Sequence, residues 1–255
     1  MKKIAVITGA SSGMGRHFAE TLSKSGKDLD EVWVIARRKD RLETVKTILP
    51  ARPIPLDLTD SADLARYAAL LAAEQPQVLL LINASGFGKF QATVDLPLEE
   101  NFGMVDLNCK ALMAMCQMTI PYMTAGSNII NIASVAAFQP VPYINVYAAT
   151  KAFVLSYSRG LYCELRPKGI TVTAVCPFWT KTEFFNRAVA ADQDAVVKKY
   201  TAMYLPEQIV SRAWRDMKRG RQVSKFGFVA RFQAMLAKML PHRFVMWFWM
   251  KQQKL

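Results

Sequence analysis

The 255-residue sequence has few of the side chains that build metal sites and disulfide frameworks, with only 4 Cys and 2 His. No two cysteines have Cys-x-x-Cys spacing, so neither a metal site nor a disulfide framework is expected. The cysteines stand in apolar stretches, which favours buried thiols in a reducing compartment and therefore a cytoplasmic protein. They are Cys109, Cys116, Cys163 and Cys176.

Long hydrophobic runs are also missing. A membrane-spanning helix needs roughly 18 apolar residues, and the longest run of concern, residues 244–250, is much shorter. The apolar stretch within residues 1–8 is shorter than the core of a secretory signal and leads into a glycine turn, so no signal peptide is expected. The hydrophobic content of 52% still supports a sizeable core and argues against a disordered chain.

Acidic residues are scarce towards the end of the sequence. From Lys198 to Leu255 there are 13 Lys and Arg against 2 acidic residues, whereas the first 197 residues carry 20 basic and 18 acidic side chains. Most of the net charge of +13 therefore belongs to the C-terminal region. This distribution predicts an anionic surface or ligand as a partner of that region, and no nucleic-acid partner is expected.

Short apolar runs alternate with helical patterns along the chain. Strands are predicted at residues 4–8, 31–36, 54–56, 78–83, 128–133 and 171–176, and helices at 14–25, 38–48, 61–74, 98–124 and 143–166. Strands that are nearly all apolar are typical of parallel sheets covered on both faces. The alternation predicts an α/β fold, a doubly wound parallel sheet with helices on both faces.

The same pattern suggests how the chain is divided. Residues 1–225 are expected to form one domain, and residues 226–255 a basic C-terminal helical extension. The segment 178–205 has weak periodicity and follows a strand, so it is predicted to be a lid over the substrate.

A glycine-rich turn, Gly9-Ala10-Ser11-Ser12-Gly13-Met14-Gly15, follows the first predicted strand. Its glycines allow the backbone to turn sharply and approach a pyrophosphate, while the next helix offers amide donors and the positive end of its dipole. A turn of purely structural purpose is the alternative, because the spacing Gly-x-x-x-Gly-x-Gly alone is weak evidence. Its place after a strand favours a dinucleotide-binding turn that includes Ser11, Ser12 and Met14.

The second predicted strand ends in Ala36-Arg37-Arg38. An acidic residue at this place typically binds the ribose 2′-hydroxyl of NAD, whereas an arginine suits the 2′-phosphate of NADP. Arg37 and Arg38 therefore favour NADP(H) over NAD(H) as the cofactor. The alternative, a solvated start of a helix, is less favoured because cations are poorly placed at a helix N-terminus.

Tyr147 and Lys151 stand four residues apart in a predicted helix, so they share one face. A cation near a phenol stabilises the phenolate, and it is expected to lower the pKa of Tyr147 towards a value useful in carbonyl–alcohol chemistry. Ser134 follows a predicted strand, at the carboxyl end where open sheets bind ligands. A chance surface pair is the alternative, and this placement of Ser134 argues against it.

Taken together, these residues resemble the short-chain dehydrogenase/reductase family over about residues 3–185. The matching pieces are residues 8–15, Asp57, residues 83–86, Asn108, Ser134, Tyr147 with Lys151, and Pro177, in the family's order and spacing. The resemblance implies a Rossmann-type fold, hydride transfer to or from the nicotinamide of NAD(P), and a homodimer or homotetramer.

The family's site residues carry over onto the matching positions. The resemblance implies that Tyr147 is the proton donor and acceptor, that Lys151 holds the nicotinamide ribose, and that Ser134 hydrogen-bonds the substrate oxygen. It assigns Asn108 to a water relay that reaches Lys151. Further cofactor contacts are implied for Asp57, Leu58, Asn83, Ala84, Ser85, Pro177, Thr180 and Thr182.

Two departures from the family pattern concern the ligand contacts. The usual Asn-Asn-Ala-Gly reads Asn83-Ala84-Ser85-Gly86 here. The usual Gly after the proline is Phe178, followed by Trp179, and this bulk is expected to reshape the nicotinamide end or to roof the substrate pocket. Neither departure removes a proton-transfer group, so catalysis is still expected.

The loops expected to line the substrate are mostly apolar and aromatic. The predicted lining residues are Phe87, Val135, Phe138, Phe178 and Trp179. They favour a hydrophobic small molecule with a carbonyl or secondary alcohol, and steroid-like, fatty-acyl-like and prenyl-like compounds all stay open. Two other functions also stay open, a non-catalytic NADP(H) sensor and a membrane-associated scaffold.

The extension has apolar residues at positions 228, 229, 232, 235, 236 and 239, a helical stripe that Pro241 ends. Met and aromatic residues at this spacing are more often core or oligomer contacts, which is the favoured interpretation. Lys and Arg flanking Trp247 and Trp249 also fit a helix that lies on anionic lipid. A peripheral membrane contact is therefore the second interpretation.

Overall fold

A seven-stranded parallel sheet forms the centre of the computed structural model, which describes residues 1–189, 196–197 and 199–255. Its strands are β1 (Lys3–Thr8), β2 (Glu31–Ala36), β3 (Ala51–Pro55), β4 (Gln77–Asn83), β5 (Asn128–Ile132), β6 (Thr171–Val175) and β7 (Val223–Ser224). They lie in the order β3-β2-β1-β4-β5-β6-β7. This is the Rossmann-type doubly wound arrangement, so the predicted fold class is confirmed.

Ten α-helices surround the sheet in the described part of the chain. They are α1 (Gly13–Ser23), α2 (Lys39–Glu43), α3 (Ser61–Glu74), α4 (Leu98–Val105), α5 (Leu112–Thr119), α6 (Asn145–Leu165), α7 (Phe184–Ala188), α8 (Pro206–Lys218), α9 (Phe228–Met239) and α10 (His242–Gln253). A π-helical segment, Asp106–Ala111, joins α4 to α5. The predicted helix at 98–124 is therefore one helical run that widens in its middle.

The two faces of the sheet carry separate hydrophobic clusters. Ile4 and Val6 of β1 point to the layer that contains α3, α5 and α6, and Ala5 and Ile7 point to the layer that contains α1, α2 and α8. All four side chains are 0% exposed. This burial on both faces explains why the strand has no polar alternation, since successive side chains of a strand point to opposite faces.

The edges of the sheet are where the predicted boundaries fail. β3 begins at Ala51, three residues before the predicted start, and it contains Pro53 and Pro55. Proline cannot donate to a neighbouring strand, so it weakens the sequence pattern but is tolerated at an edge. β7, at the opposite edge, pairs with β6 through only two residues, too short a run to be predicted.

The C-terminal extension forms a pair of helices, α9 and α10, separated by Pro241. Small side chains of α9, Ala230, Ala234 and Ala237, are its buried residues, whereas Phe228 and Met239 are 77% and 72% exposed. The favoured interpretation of the apolar stripe was core or oligomer contacts, and the exposure of Phe228 and Met239 shows that these two residues are not core contacts. Alanine allows the helix to approach the domain closely, and the large side chains point outward.

The predicted lid, 178–205, lies partly outside the described residues, because 190–195 and 198 are not described. Within the described part, it contains α7 and a parallel β-bridge between Thr180 and Tyr204. Among all described residues, none of the helices is both long and apolar enough to cross a bilayer.

Candidate active site

The glycine turn between β1 and α1 forms one wall of a cleft at the carboxyl end of the sheet. Gly9 and Gly13 have positive φ angles of 67° and 52°, a region in which residues with a β-carbon are strained. A β-carbon at Gly9 would lie 2.8 Å from backbone atoms of Ala84. The turn therefore depends on glycine for its shape, and its bare backbone is open to the approach of a phosphate group.

This cleft has a volume of about 840 Å³. Most of the predicted cofactor residues line it, namely Gly9, Ser11, Ser12, Gly13, Met14, Arg37, Arg38, Asp57, Leu58, Ala84, Ser85 and Thr182. They follow the ends of five parallel strands, which explains how residues far apart in the sequence reach one edge of the sheet.

Two predicted cofactor contacts, Asn83 and Gly15, are among the described residues that line neither this cleft nor the cavity beside it. Asn83 is buried, and its Nδ2 donates to Asn131 Oδ1 at 2.9 Å and to Cys116 Sγ of α5 at 3.2 Å. As the last residue of β4 it points into the helical layer, while the residues after it reach the cleft. Gly15 lies behind the turn, where a β-carbon would overlap the carbonyl of Gly9. Its role is to let α1 start close to the turn.

A second, mostly apolar cavity of about 600 Å³ adjoins the cleft. Eight predicted site residues line this cavity and not the cleft, namely Ser134, Val135, Tyr147, Lys151, Pro177, Phe178, Trp179 and Thr180. The two spaces share the lining residues Met14, Ala84, Gly86, Thr182 and Phe184. The ring centroid of Phe184 is 5.4 Å from that of Tyr147, so the junction lies beside the predicted proton donor.

Two predicted substrate contacts, Phe138 and Phe87, are not among the described residues that line the apolar cavity. Phe138 packs in the core between Arg159 and Lys225, whose charged groups lie 6.0 and 5.3 Å from its ring centroid. Phe138 is the last residue of a short 3₁₀ turn that begins at Val135. The turn directs Val135 to the cavity and Phe138 away from it. Phe87 lines the cofactor cleft instead, and its ring centroid is 3.4 Å from the guanidinium carbon of Arg187.

The C-terminal helices supply much of the apolar wall, which sequence reasoning missed. Their contributions include Phe232 and Leu236 of α9, Phe244 and Phe248 of α10, and Leu240 between the helices. The helical apolar stripe was the available signal, but nothing in it indicates which residues face the cavity. The extension is therefore part of the candidate substrate site.

Ser134 and Tyr147 meet at the inner end of the cavity. The Ser134 side chain lies close enough to the phenol of Tyr147 to act on its pKa, and Ser134 Oγ accepts a hydrogen bond from the amide of Ala136 at 3.1 Å. Burial raises the pKa of Tyr147 to about 12, and the interaction with Ser134 acts in the opposite direction. The phenol is therefore protonated at neutral pH, and two hydroxyl groups are in position to hold one oxygen atom.

Lys151 lies behind Tyr147 and is 4% exposed. Its Nζ donates to the carbonyl oxygen of Ile132 at 2.7 Å and lies 5.7 Å from the centroid of the Tyr147 ring. Burial lowers the pKa of Lys151 to about 8, against weaker opposing effects of Cys109 and Cys176. The expected lowering of the pKa of Tyr147 is not what the structure gives, because desolvation of the phenolate outweighs every stabilising neighbour.

Asn108 lies in the π-helical segment and is 0% exposed. Its side chain accepts from the amide of Phe87 at 3.0 Å, and it donates to the Phe87 carbonyl at 2.8 Å and to Thr150 Oγ1 at 3.0 Å. A β-carbon on Gly86 would lie 2.8 Å from Asn108 Oδ1 and 3.3 Å from Lys151 Nζ. Asn108 therefore fixes the loop after β4 and lies close to Lys151. π-Helical bulges often occur at functional sites.

Cations dominate the outer end of the cofactor cleft. Arg37 lies 3.6 Å from Asp57, and Arg38 donates to Ser11 Oγ at 3.3 Å and to Ser12 Oγ at 3.2 Å. Arg41, Lys89 and Arg187 also line the cleft, and sequence reasoning did not single them out. Arg41 stands four residues after Arg37, at helical spacing, which was the available signal.

The residues that line the cleft fit a nicotinamide dinucleotide, as their geometry and charge show. A glycine turn that excludes a β-carbon offers backbone space for the pyrophosphate, the arginines offer charge for phosphate groups, and the shared wall leads to Tyr147. Asp57 is also available as a hydrogen-bond acceptor, because its carboxyl group is ionised. Burial alone would raise its pKa, but bonds from Thr59 and the charge of Arg37 hold that pKa below its usual range.

Comparison with known proteins agrees with this geometry. The family model described as short chain dehydrogenase matches residues 3–193. Very-long-chain 3-oxoacyl-CoA reductase-A of Danio rerio is 30% identical over 231 residues, covering 82% of this chain and 72% of its own. A solved short-chain dehydrogenase of Sphingobium yanoikuyae in complex with NADPH is 30% identical, with a TM-score of 0.78 and 93% of both chains covered.

The bound cofactors differ among the solved structures. 3-Ketoacyl-(acyl-carrier-protein) reductase of Brucella melitensis, complexed with NADH, is 27% identical, with a TM-score of 0.72 and coverage of 87% of this chain and 94% of its own. The relatives thus support a nicotinamide cofactor without selecting between its two forms. The matched family model, the relatives and the fold together show that this chain belongs to the short-chain dehydrogenase/reductase family of oxidoreductases.

Proposed function

We propose that the protein is an NADP(H)-dependent oxidoreductase that interconverts a carbonyl group and a secondary alcohol on a hydrophobic small molecule. The observation that carries this proposal is the contact between Ser134 and Tyr147 at the junction of a basic cleft and an apolar cavity. A carbonyl oxygen at this junction would meet two hydroxyl groups, with the rest of the molecule in the apolar cavity.

The proposed mechanism uses three side chains. When bound, the nicotinamide supplies a hydride to the carbonyl carbon or takes one from the alcohol carbon. Ser134 accepts from the amide of Ala136, and its O–H group donates a hydrogen bond to the substrate oxygen, because a carbonyl oxygen can only accept. In reduction, Tyr147 gives its proton to that oxygen. Lys151, held 2.7 Å from the Ile132 carbonyl, stabilises the resulting phenolate and binds the nicotinamide ribose.

Asn108 acts as a positioning residue in this proposal. It holds the backbone of Phe87 through two hydrogen bonds, and it lies close to Lys151 through Gly86. A water relay from Asn108 to Lys151 would return the proton to Tyr147 from solvent.

The preference for NADP(H) is supported by the arginines at the outer end of the cleft. Arg37, Arg38 and Arg41 offer fork-shaped guanidinium groups, which bind phosphate in a bidentate manner. Titration of the protein with NADPH and NADH by ligand fluorescence tests the preference directly. Equal affinity for the two would contradict it, because the pair differs only in the 2′-phosphate.

The decisive test of the reaction is Tyr147→Phe. This change removes one hydroxyl group, and NADPH oxidation with a panel of hydrophobic ketones should fall by about a hundredfold or more. Affinity for NADPH should be retained. Tyr143→Phe, a nearby phenol outside the described lining of both spaces, serves as the control. Tight NADPH binding without oxidation by any ketone would favour a non-catalytic sensor.

We also infer a homodimer or homotetramer in the cytoplasm, with a peripheral contact between residues 226–255 and anionic membrane. Self-association is supported by exposed apolar side chains on adjacent helices, namely Phe102 and Val105 of α4, Met113 of α5 and Phe153 of α6. The cytoplasm is supported by four free cysteines, of which three are buried. Size-exclusion chromatography with light scattering would measure the oligomeric state.

A further inference from the structure

We propose that the apolar cavity opens onto a lipid bilayer, and that its substrate is a bilayer-dissolved carbonyl compound or alcohol that enters between α9 and α10. The inference rests on the proposed carbonyl–alcohol chemistry at Tyr147, and it names the substrate source and the surface that reaches it.

The first observation is an exposed apolar surface on the C-terminal helices, the outer face. Eight large side chains make up this face, each between 43% and 77% exposed, namely Phe228, Phe232, Met235, Met239, Phe244, Trp247, Phe248 and Leu255. A clustered apolar surface of this kind marks a contact with another apolar phase.

The second observation is the charge around this face. Residues 226–255 contain no acidic side chain, and all five cations are exposed, namely Arg231, Lys238, Arg243, Lys251 and Lys254. The ammonium group of Lys251 lies 5.0 Å from the ring centroid of Trp247. Apolar and aromatic side chains flanked by cations fit the boundary of an anionic bilayer. A second copy of the same face would bring like charges together, which opposes self-association there.

The third observation connects the outer face to the cavity. Phe232, Phe244 and Phe248 line the apolar cavity and are also 44%, 49% and 57% exposed. The cavity therefore reaches the outer face, and the same cavity is lined by Tyr147 and Ser134. A molecule moving from lipid to the proton donor would stay in contact with apolar side chains throughout.

The attachment of α10 keeps this face turned outward. Trp249 is 8% exposed, and its indole nitrogen donates to the carbonyl oxygen of Pro142 at 3.0 Å. Gln253 exchanges two hydrogen bonds of 3.0 Å with the backbone of Lys199. These bonds occupy the inward side of the helix, so the outer residues are not needed to hold it in place.

The first part of the test measures binding of the full chain to vesicles by flotation. Vesicles of phosphatidylcholine with phosphatidylglycerol at a ratio of about 7:3 should bind the protein at least about tenfold more tightly than phosphatidylcholine alone. The double variant Met239→Glu with Trp247→Glu should lose about tenfold or more in binding to the anionic vesicles. Neither residue is among the described residues that line the cavity.

Val94→Glu is the matched control, because Val94 is 91% exposed and lies before α4, outside the C-terminal helices. It should bind anionic vesicles as the parent does. An unchanged thermal unfolding midpoint of the double variant shows that a loss of binding is not a loss of fold. Equal binding of parent and double variant would overturn the proposal. So would a parent dimer that the double variant converts to monomer, since a second copy would then cover the face.

The second part tests entry into the cavity. A long-chain aliphatic ketone bearing a photoactivatable diazirine is dissolved in the anionic vesicles, and cross-linked peptides are mapped by mass spectrometry. Cross-links to Leu236, Val135 or Trp179 are expected, at least about tenfold fewer in the double variant. Cross-links confined to Met239 and Trp247, or equal labelling of parent and variant, would overturn entry from the bilayer.

Failure of this inference is distinguishable from failure of the proposed function. Oxidation of NADPH by ketones dissolved in buffer reports on the proposed chemistry at Tyr147 and involves no vesicle. Activity on dissolved ketones without vesicle binding would overturn the membrane route and leave the proposed chemistry standing. The opposite result would be labelling of the cavity from vesicles by a protein that shows no NADPH oxidation with any ketone. That result would support entry from the bilayer and contradict the proposed chemistry.

Discussion

The carboxylate of Glu183, which lines the cofactor cleft, pairs with Arg41 at 2.6 Å. Its other oxygen accepts from Arg38 at 3.3 Å. The hydrogen bond from Arg41 is the largest cause of a pKa of Glu183 below its usual range. This single side chain, between β6 and α7, thus joins the segment before α7 to α2, and it occupies two arginines that would otherwise be free for a phosphate group.

Glu183→Gln should tighten NADPH binding without a matching gain for NADH. The carboxylate repels a 2′-phosphate and competes for its arginines, so its removal should lower the dissociation constant of NADPH by about threefold to tenfold. Calorimetric titration with both cofactors measures the effect. Glu74→Gln is the control, since Glu74 pairs with Arg52 at the same distance of 2.6 Å but lies away from the cleft. Equal tightening for both cofactors would contradict a role at the 2′-phosphate.

Arg37→Ala should have the opposite effect on cofactor preference and reduce the affinity for NADPH relative to NADH. The loss of a guanidinium–phosphate contact should weaken NADPH binding by about tenfold or more, while NADH binding changes little. Arg66→Ala is the matched control, because Arg66 is exposed to the same degree, 62% against 63%, and also pairs with an aspartate. If both cofactors weaken equally, the role of Arg37 is to position Asp57 and not to bind phosphate.

Gly88→Ala should impair the reaction by displacing the proton donor. A β-carbon at Gly88 would lie 2.6 Å from Cδ2 of Tyr147 and 3.0 Å from Phe184, so the phenol must move. A shift of about 1 Å can cost about a hundredfold in rate, and the fall should be larger in kcat than in NADPH affinity. Gly160→Ala provides the control, because Gly160 lies on the same helix as Tyr147 with open space at its β-carbon. A Gly88→Ala enzyme with the parent kcat would show that Tyr147 tolerates displacement.

Lys151→Met should abolish activity yet raise the free energy of unfolding near pH 7. Burial lowers the folded pKa of Lys151 from 10.5 to about 8, so below about pH 8 the folded state bears the cost of a buried charge. The gain should be about 1–3 kcal/mol, reduced by the lost bond to Ile132.

The difference in unfolding free energy between Lys151→Met and the parent should shrink as the pH rises. Between pH 8 and 10.5 the unfolded chain holds the proton of Lys151 more tightly, so the stability of the parent rises relative to that of the variant. Urea unfolding at about pH 7 and pH 9.5 should show the advantage of the variant falling by about half or more. Cys176 has a pKa raised to about 12 by burial and does not titrate in this range. A constant difference would contradict a buried charge at Lys151.

The parts of the site that lie at strand ends were predictable from the sequence. A buried parallel strand leaves a continuous apolar run, and the residue where the run stops is the residue that reaches the edge of the sheet. Ser134 after β5 and Arg37 after β2 were found in this way. The pair Tyr147 and Lys151 was found by helical spacing, which the 21-residue helix α6 preserves.

Side-chain direction was not predictable by the same means. Asn83 and Ala84 are adjacent, yet one points into the helical layer and the other lines both spaces. Phe138 was expected at the substrate because its neighbours are there, but a short 3₁₀ turn directs it to the core. The pKa of Tyr147 was misjudged for a related reason, since sequence spacing reveals a nearby cation and not the depth of burial.

Long-range packing was the other source of error. The apolar stripe of α9 suggested a core or oligomer contact, because large apolar side chains usually provide the burial that holds a helix in place. In the structure the buried residues of α9 are three alanines, while Phe232 and Leu236 of the stripe line the cavity. The periodicity of apolar residues alone does not show which face of a helix packs against the rest of the domain.

The buried alanine face of α9 also has a consequence for engineering the residues that line the cavity. Because Ala230, Ala234 and Ala237 form the attachment, exchanges on the remaining positions leave that attachment intact. Ala237 also lines the apolar cavity, whereas Ala230 and Ala234 are not among its described lining residues, so a library randomised at Phe232, Leu236 and Leu240 would vary the cavity wall and keep all three alanines.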